Sequence, residues 1–271
     1  MASVHRINEA LAAIRGAPLA TIESYTRVLR TEGVLPRTKR GSGATRITST
    51  HAALILLAVM RGSPTAAAKN ARDVGGLILF DGGATYEQLH DRIRAALGWA
   101  DDTTLAQAIA WLIDRFGDGT ISEYVQEGEA GHGVTVRVDR YWTRSWLHWV
   151  PAKKVSDQWI QGFRESVPSD SPFRDAVALG LTTGVGDIPP WPSNERRDLE
   201  HELQLRGMEL IFFSPLLYEL KASYHAGDHE RNRKATRQYS ESAEQVKRSD
   251  LIGSESVTQR TLIALSEAFK D

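Results

Sequence analysis

Six basic side chains fall between Ser24 and Ile47, namely Arg27, Arg30, Arg37, Lys39, Arg40 and Arg46, and Glu32 alone opposes them. Guanidinium and ammonium groups at that density suit one chemistry above others, the neutralisation of a phosphate polyanion. Their spacing divides them into two sets. Arg27 and Arg30 share a stretch with Ser24 and Thr31 in which Ile22, Tyr25 and Leu29 recur at helical intervals. With those three apolar residues inward, Ser24, Arg27, Arg30 and Thr31 lie outside. A helix in a DNA major groove needs that surface: hydroxyls near the backbone and guanidinium groups that reach phosphates or guanine edges. Arg37, Lys39, Arg40 and Arg46 flank Gly41-Ser42-Gly43, a turn whose backbone can approach a duplex closely, and they would grip phosphates. Taken singly, a basic residue on a helix or in a glycine loop most often only meets water. The density and the helix-stop-hairpin pattern argue for nucleic acid.

Other constellations carry less. His225 and His229 stand four apart beside Asp228 and Glu230, but no third ligand accompanies them, so exposed histidines are the better reading and no metal is expected. The glycines of 180–187 lack both the dinucleotide fingerprint and a phosphate-loop lysine. The chain has no cysteine, which removes disulfides, thiol nucleophiles and thiolate metal sites. No hydrolase or zinc-protease motif and no paired-carboxylate motif occurs, so neither an enzyme nor a cofactor is expected. Tyr141, Trp142, Arg144, Trp146, His148 and Trp149 form an aromatic cluster. A tryptophan-rich core explains it best. A protein-partner surface at Trp142, Trp146 and Trp149 comes second, and base stacking third, because the surrounding chain is acidic.

The elements that must hold these residues follow from periodicity and breakers. Val4, Ile7, Leu11 and Ile14 predict a helix from Ser3 to Arg15, stopped at Gly16-Ala17-Pro18. A second runs over 20–32 and ends at Gly33. A third begins at Ser49 and is so apolar from Ala52 to Val59 that it should be buried. Further helices are expected over 64–75, 85–97 and 102–117. Residues 121–127 and 134–143 alternate as strands and predict an antiparallel pair. Beyond them, 166–193 is proline-rich loop with one helix near 173–181, and a helix is expected over 194–210. The polar stretch 225–250 reads as a solvated helix or flexible linker, and a last helix ends the chain.

Net charge conceals an asymmetry. The 271 residues sum to −1, yet the first 75 hold eleven basic residues to four acidic. A head of +7 therefore sits on a body of −8, the footprint of one polyanion-binding face. No apolar run is long enough to span a membrane, and no secretory core opens the chain. The expectation is a cytoplasmic protein without membrane contact. The predicted fold class is α+β, mainly α. Residues 1–76 form a helix-turn-helix head, with or without a wing, that should bind DNA on its own. Residues 77–192 hold the middle helices with a small antiparallel sheet, and 193–271 a polar, partly flexible helical tail.

The segment TIESYTRVLRTEGVLPRTKRGSGATRIT resembles the recognition helix and wing of bacterial winged helix-turn-helix regulators. Arg30-Thr31-Glu32-Gly33-Val34-Leu35 matches the end of such a helix, and Arg40-Gly41-Ser42-Gly43 the wing. The continuation into the apolar third helix is similar to regulator-like proteins of prophages and gene-transfer elements. The likeness covers about the first sixty residues. It departs from the pattern in one respect: only Gly16 to Ala20 separates the first helix from the recognition helix, where such regulators insert another. It implies sequence-specific binding of double-stranded DNA and transcriptional regulation in a phage or mobile element; any homodimer would be built on the middle helices or tail. The alternatives are a phage DNA-packaging or processing subunit, and a factor that grips a host protein through the tryptophan-rich region.

Overall fold

A computed structural model of the chain describes residues 2–37, 46–60, 63–79, 95, 97–100, 102–125, 134–138, 144–149, 152, 208–215, 227–247 and 255–270. Among these the chain is mainly helical, with seven α-helices and a small antiparallel sheet. None of the helices is long and apolar enough to cross a membrane.

Strand β1 (Ala2–Ser3) leads directly into α1 (Val4–Arg15). Ser3 is the N-cap, its hydroxyl accepting the Arg6 amide at 3.3 Å, and Gly16 closes the helix in the left-handed region at φ 59°. After that short turn, α2 (Leu19–Thr31) buries Ile22, Tyr25, Thr26 and Leu29. Strand β2 (Arg46–Ile47) returns to β1 in antiparallel register, Ala2 opposite Ile47 and Ser3 opposite Arg46. Helix α3 (Ser49–Met60) is buried from Ala52 to Met60 apart from half-buried Leu54, as its composition predicts. It packs against α2, α4 (Ala67–Gly75) and α5 (Leu105–Asp118). Gly75 allows this closeness, since a Cβ there would lie 2.8 Å from Leu54 Cδ2 and 3.3 Å from Ala106 Cβ. Helix α5 starts from a capping box in which Thr104 and Gln107 exchange side-chain and backbone bonds.

The second sheet runs in the order β3-β6-β5-β4-β7, antiparallel at every step. Its strands are β3 (Ile78–Leu79), β4 (Thr135–Val138), β5 (Arg144–Trp149), β6 (Met208–Phe213) and β7 (Glu255–Thr258). Helix α6 (His229–Lys247) precedes β7, and α7 (Gln259–Glu267) follows it to pack on α1 and α5. Val136, Val138, Leu147, Trp149, Leu210, Phe212 and Val257 line the buried face of the sheet. Trp99 joins them to α5: its ring lies 6.5 Å from Trp149 and from Phe212 and 5.7 Å from Trp111, which meets Tyr124 at 4.8 Å. The result is one continuous core from Ala2 to Ala268.

Several expectations need correction. Residues 121–125 do not form a strand. Gly119 at φ 79° turns the chain, the Asp118 carboxylate accepts the Thr120 amide at 2.9 Å and its hydroxyl at 2.6 Å, and a 3-10 turn follows over Thr120–Glu123. The Thr120 hydroxyl bond is the largest of the causes holding the Asp118 carboxyl below its ordinary range. Strand β4 therefore pairs with β5 and β7 instead. Of the helix expected over 194–210, residues 208–210 belong instead to β6, where Leu210, Ile211, Phe212 and Phe213 favour a sheet, and 194–207 lie outside the described residues. The tail is no helical appendage, since it supplies β6, β7 and α7 to the sheet and core. Ile14, expected inward, is 36% exposed, while Asn8 takes the buried position at 3%. The helix expected near 173–181 lies outside the described residues, as does that over 85–97 apart from residues 95 and 97.

Candidate nucleic-acid interface

Helix α2 is seated by its buried face, and the buried pair Asn8–Thr26 fixes its rotation relative to α1. The Asn8 amide Nδ2 donates to Thr26 Oγ1 at 3.1 Å, and the Thr26 hydroxyl donates in turn to the Glu23 carbonyl at 3.0 Å. Arg72 of α4 holds the far end by donating to the Glu32 carbonyl at 2.5 Å. That bond satisfies an acceptor left open at the helix end and sets a cation at the negative pole. Arg15 does the same for α3, donating to the Val59 carbonyl at 3.3 Å. Neither arginine stands out in the sequence, because a carbonyl forty or more residues away leaves no local signal.

On this frame Arg27 and Thr31 are exposed, while Ser24 and Arg30 are half-buried. The Ser24 hydroxyl donates to the Thr21 carbonyl at 2.6 Å and the Thr31 hydroxyl to the Arg27 carbonyl at 3.1 Å. Both oxygens keep only acceptor capacity toward a ligand. Arg27, Arg30 and Thr31 line a depression of about 320 Å³ with Val4, His5, Asn8, Glu23 and Thr26. His5 bridges the helices there, 3.2 Å from the Glu9 carboxylate and 3.7 Å from that of Glu23. The Arg30 Nε is enclosed without a hydrogen-bond partner, so this side chain lies along the groove between α1 and α2.

Beyond α2 the chain turns at Gly33, φ 71°, where the Val34 and Leu35 amides both reach the Leu29 carbonyl at 2.8 and 3.1 Å. Buried Leu35 and Ile47 then anchor the two ends of the basic segment in the core. Arg37 and Arg46 are exposed at those ends. Lys39 and Arg40 lie outside the described residues. After β2, Thr48 and His51 cap α3 reciprocally: the Thr48 amide donates to His51 Nδ1 at 3.2 Å, and the His51 amide donates to Thr48 Oγ1 at 3.4 Å. Partial burial lowers the His51 pKa, so the neutral ring that can accept is favoured.

The aromatic cluster divides between two environments. Trp149 is fully buried in the core, whereas Trp146 is half-buried on the opposite face, with the Arg137 guanidinium 5.5 Å from its ring centroid. Trp142 and His225 lie outside the described residues, as do the glycines of 180–187, and His229 is exposed at the start of α6. Among the described residues no group of three or more His, Asp or Glu side chains could hold a metal ion. No protein-family model, curated protein or solved structure matches this chain.

Proposed function

We propose that this protein binds double-stranded DNA sequence-specifically, presenting α2 to the major groove and the 37–46 segment to phosphates, and that it regulates transcription in a phage or mobile element. The observation that carries the reading is the β1–β2 pairing. It returns the basic segment to the start of α1, so that Arg37 and Arg46 are anchored beside the α1–α2 pair instead of trailing away from it. Two helices joined by a short glycine-started turn, followed by a strand-tethered basic loop, fit a helix-turn-helix reader in which α1 is the supporting helix. In this reading exposed Arg27 reaches base edges. Arg30, lying in the α1–α2 groove, clamps a phosphate, and Arg46 holds the backbone beside β2.

The test uses the full chain and a duplex library from which bound sequences are selected. A shared motif should emerge, with affinity falling steeply as salt rises. Arg27→Ala should cost about 1–3 kcal/mol on the selected site and relax preference at a defined position. Arg46→Ala should weaken every duplex alike and lower the salt slope by about one. Absence of any enriched motif, or identical and sequence-independent losses from both variants, removes α2 as the reader.

A further inference from the structure

The depression between α1 and α2 is lined by opposed chemistries. Its most deeply buried residues are Thr26, Asn8 and Val4, at 2, 3 and 4% exposure. Because the Thr26 hydroxyl donates to the Glu23 carbonyl, it can only accept from Asn8, so Nδ2 faces Thr26 and Oδ1 is the amide atom without a partner. The Arg30 Nε is a second enclosed polar atom without a partner in the same depression. Among the described residues neither the Arg27 nor the Arg30 guanidinium has an ion pair, although Glu23 stands one helical turn before Arg27. The Glu23 carboxylate lies 3.7 Å from His5 Nδ1 instead.

We infer that this depression binds a small zwitterion, an amino-acid-like molecule whose carboxylate meets Arg27 and Arg30 and whose ammonium meets Glu23 and Asn8 Oδ1. A guanidinium fork suits a planar carboxylate, and an orphaned amide oxygen near a carboxylate suits an ammonium. The charges are ordered along α2, with Glu23 four residues before Arg27, about 6 Å along the axis. A dipeptide or a five-carbon amino acid separates its charges by about that distance. A volume of about 320 Å³ is at the small end for ligand pockets and admits no larger molecule. A duplex phosphate is the poorer occupant. It has no donor to give Asn8 Oδ1, and the Glu23 carboxylate repels it. Both orphaned atoms are enclosed, so the ligand reaches them as the Arg30 side chain swings aside, and no ion pair with a described residue restrains that side chain. Because the DNA-binding reading of α2 uses the same two arginines, and only if that reading holds, the zwitterion and a duplex exclude one another.

The experiment titrates the full chain calorimetrically with 5-aminopentanoate and glycylglycine, and with pentanoate and pentylamine as single-charge controls. At least one zwitterion should bind, and each control at least about tenfold more weakly. Glu23→Gln and Arg30→Gln should each weaken zwitterion binding about tenfold, whereas the Glu23→Gln chain should hold a duplex at least as well as wild type. The Glu23 side chain is 43% exposed, so its variant remains informative if Arg30→Gln unfolds. Saturating zwitterion should release a bound duplex. A chain that binds the zwitterion and no duplex supports this site and removes the DNA reading of α2. The site is overturned if neither zwitterion binds, if a single-charge control binds as tightly as 5-aminopentanoate, or if both variants keep full affinity. A complex holding zwitterion and duplex together at undiminished affinity also overturns it, since the two arginines cannot serve both.

Discussion

The amide of Asn8 and the hydroxyl of Thr26 meet in a buried place where either alone is a liability. Asn8 Nδ2 is satisfied by Thr26, but Asn8 Oδ1 is enclosed without a partner. Replacing Thr26 by valine keeps the shape and leaves the whole amide unpaired, a loss of about 1–3 kcal/mol. Asn8→Leu discards the orphaned acceptor together with the bond, so it should cost less, and the double variant should be close to wild type. Urea melts of the four proteins measure the coupling, and strictly additive losses would show that the pair does not act as a unit. This pair also marks where reading the sequence stopped. Ile22, Tyr25 and Leu29 gave the buried face of α2 correctly, because helix periodicity is local. The seat of α1 was legible at Val4, Ile7 and Leu11, which are buried as expected, but not at Ile14, which is exposed, or at Asn8, which is buried. The partner that draws Asn8 inward is eighteen positions away on another helix, and no local pattern encodes it. Of the candidate site, the exposure of Arg27 and Thr31 followed from spacing, whereas Ser24 and Arg30, also expected outside, are half-buried, Arg30 because of how α1 lies beside it.

At the scale of elements, caps and breakers decided what could be read. Gly16 and Gly33 ended α1 and α2 where their freedom to take a positive φ allows, and Ser49 opened α3 as expected. Strands fared worse, because a strand is defined by partners that lie far away in the chain. Residues 121–125 have strand-forming types, but the Asp118–Thr120 bonds commit them to a turn before any partner is met. Strand β6 finds β3 and β5 across long separations. The Thr48–His51 cap is likewise invisible as a motif, histidine being an unusual partner in the third helical position, and it makes α3 sensitive to acid. A lowered pKa in the fold means that the unfolded chain binds more protons in the window between the two values, so stability rises with pH there. The contribution is complete above the ordinary histidine value of about 6.5 and is lost as pH falls through the lowered folded value. Denaturant melts across that window should show the wild-type chain weakening toward acid, with a flatter profile in His51→Gln. Parallel profiles for the two proteins would remove the cap as a cause.

Over the whole molecule, a basic amino-terminal region and an acidic remainder suggested a head that stands alone, and the packing argues against such independence. Helix α3 is buried on nearly every side, and α5 covers part of it; α1 rests on α7 from the far end of the chain. The core joins Ile7 and Leu11 to Leu262 and Leu265 without a break. Cutting at residue 76 would therefore expose the apolar surface of α3 and the α7-facing side of α1 together. A fragment of that size is already short of buried area. The expected outcome is that residues 1–76 alone keep helical content but lose a cooperative melt and bind a hydrophobic dye, the behaviour of a collapsed chain without fixed packing. In the full chain, Leu262→Ala should cost about 2–5 kcal/mol as a large-to-small change at a fully buried site. Where that variant remains folded, its duplex affinity should be that of wild type, since Leu262 lies in α7, which packs on α1, away from the side of α2 proposed to face DNA. Circular dichroism melts of fragment and variant, read beside duplex titrations, check both expectations. A fragment that melts cooperatively and shifts duplex DNA as tightly as the full chain would show that the charge asymmetry marks a separable domain and that α5 and α7 merely lean on it.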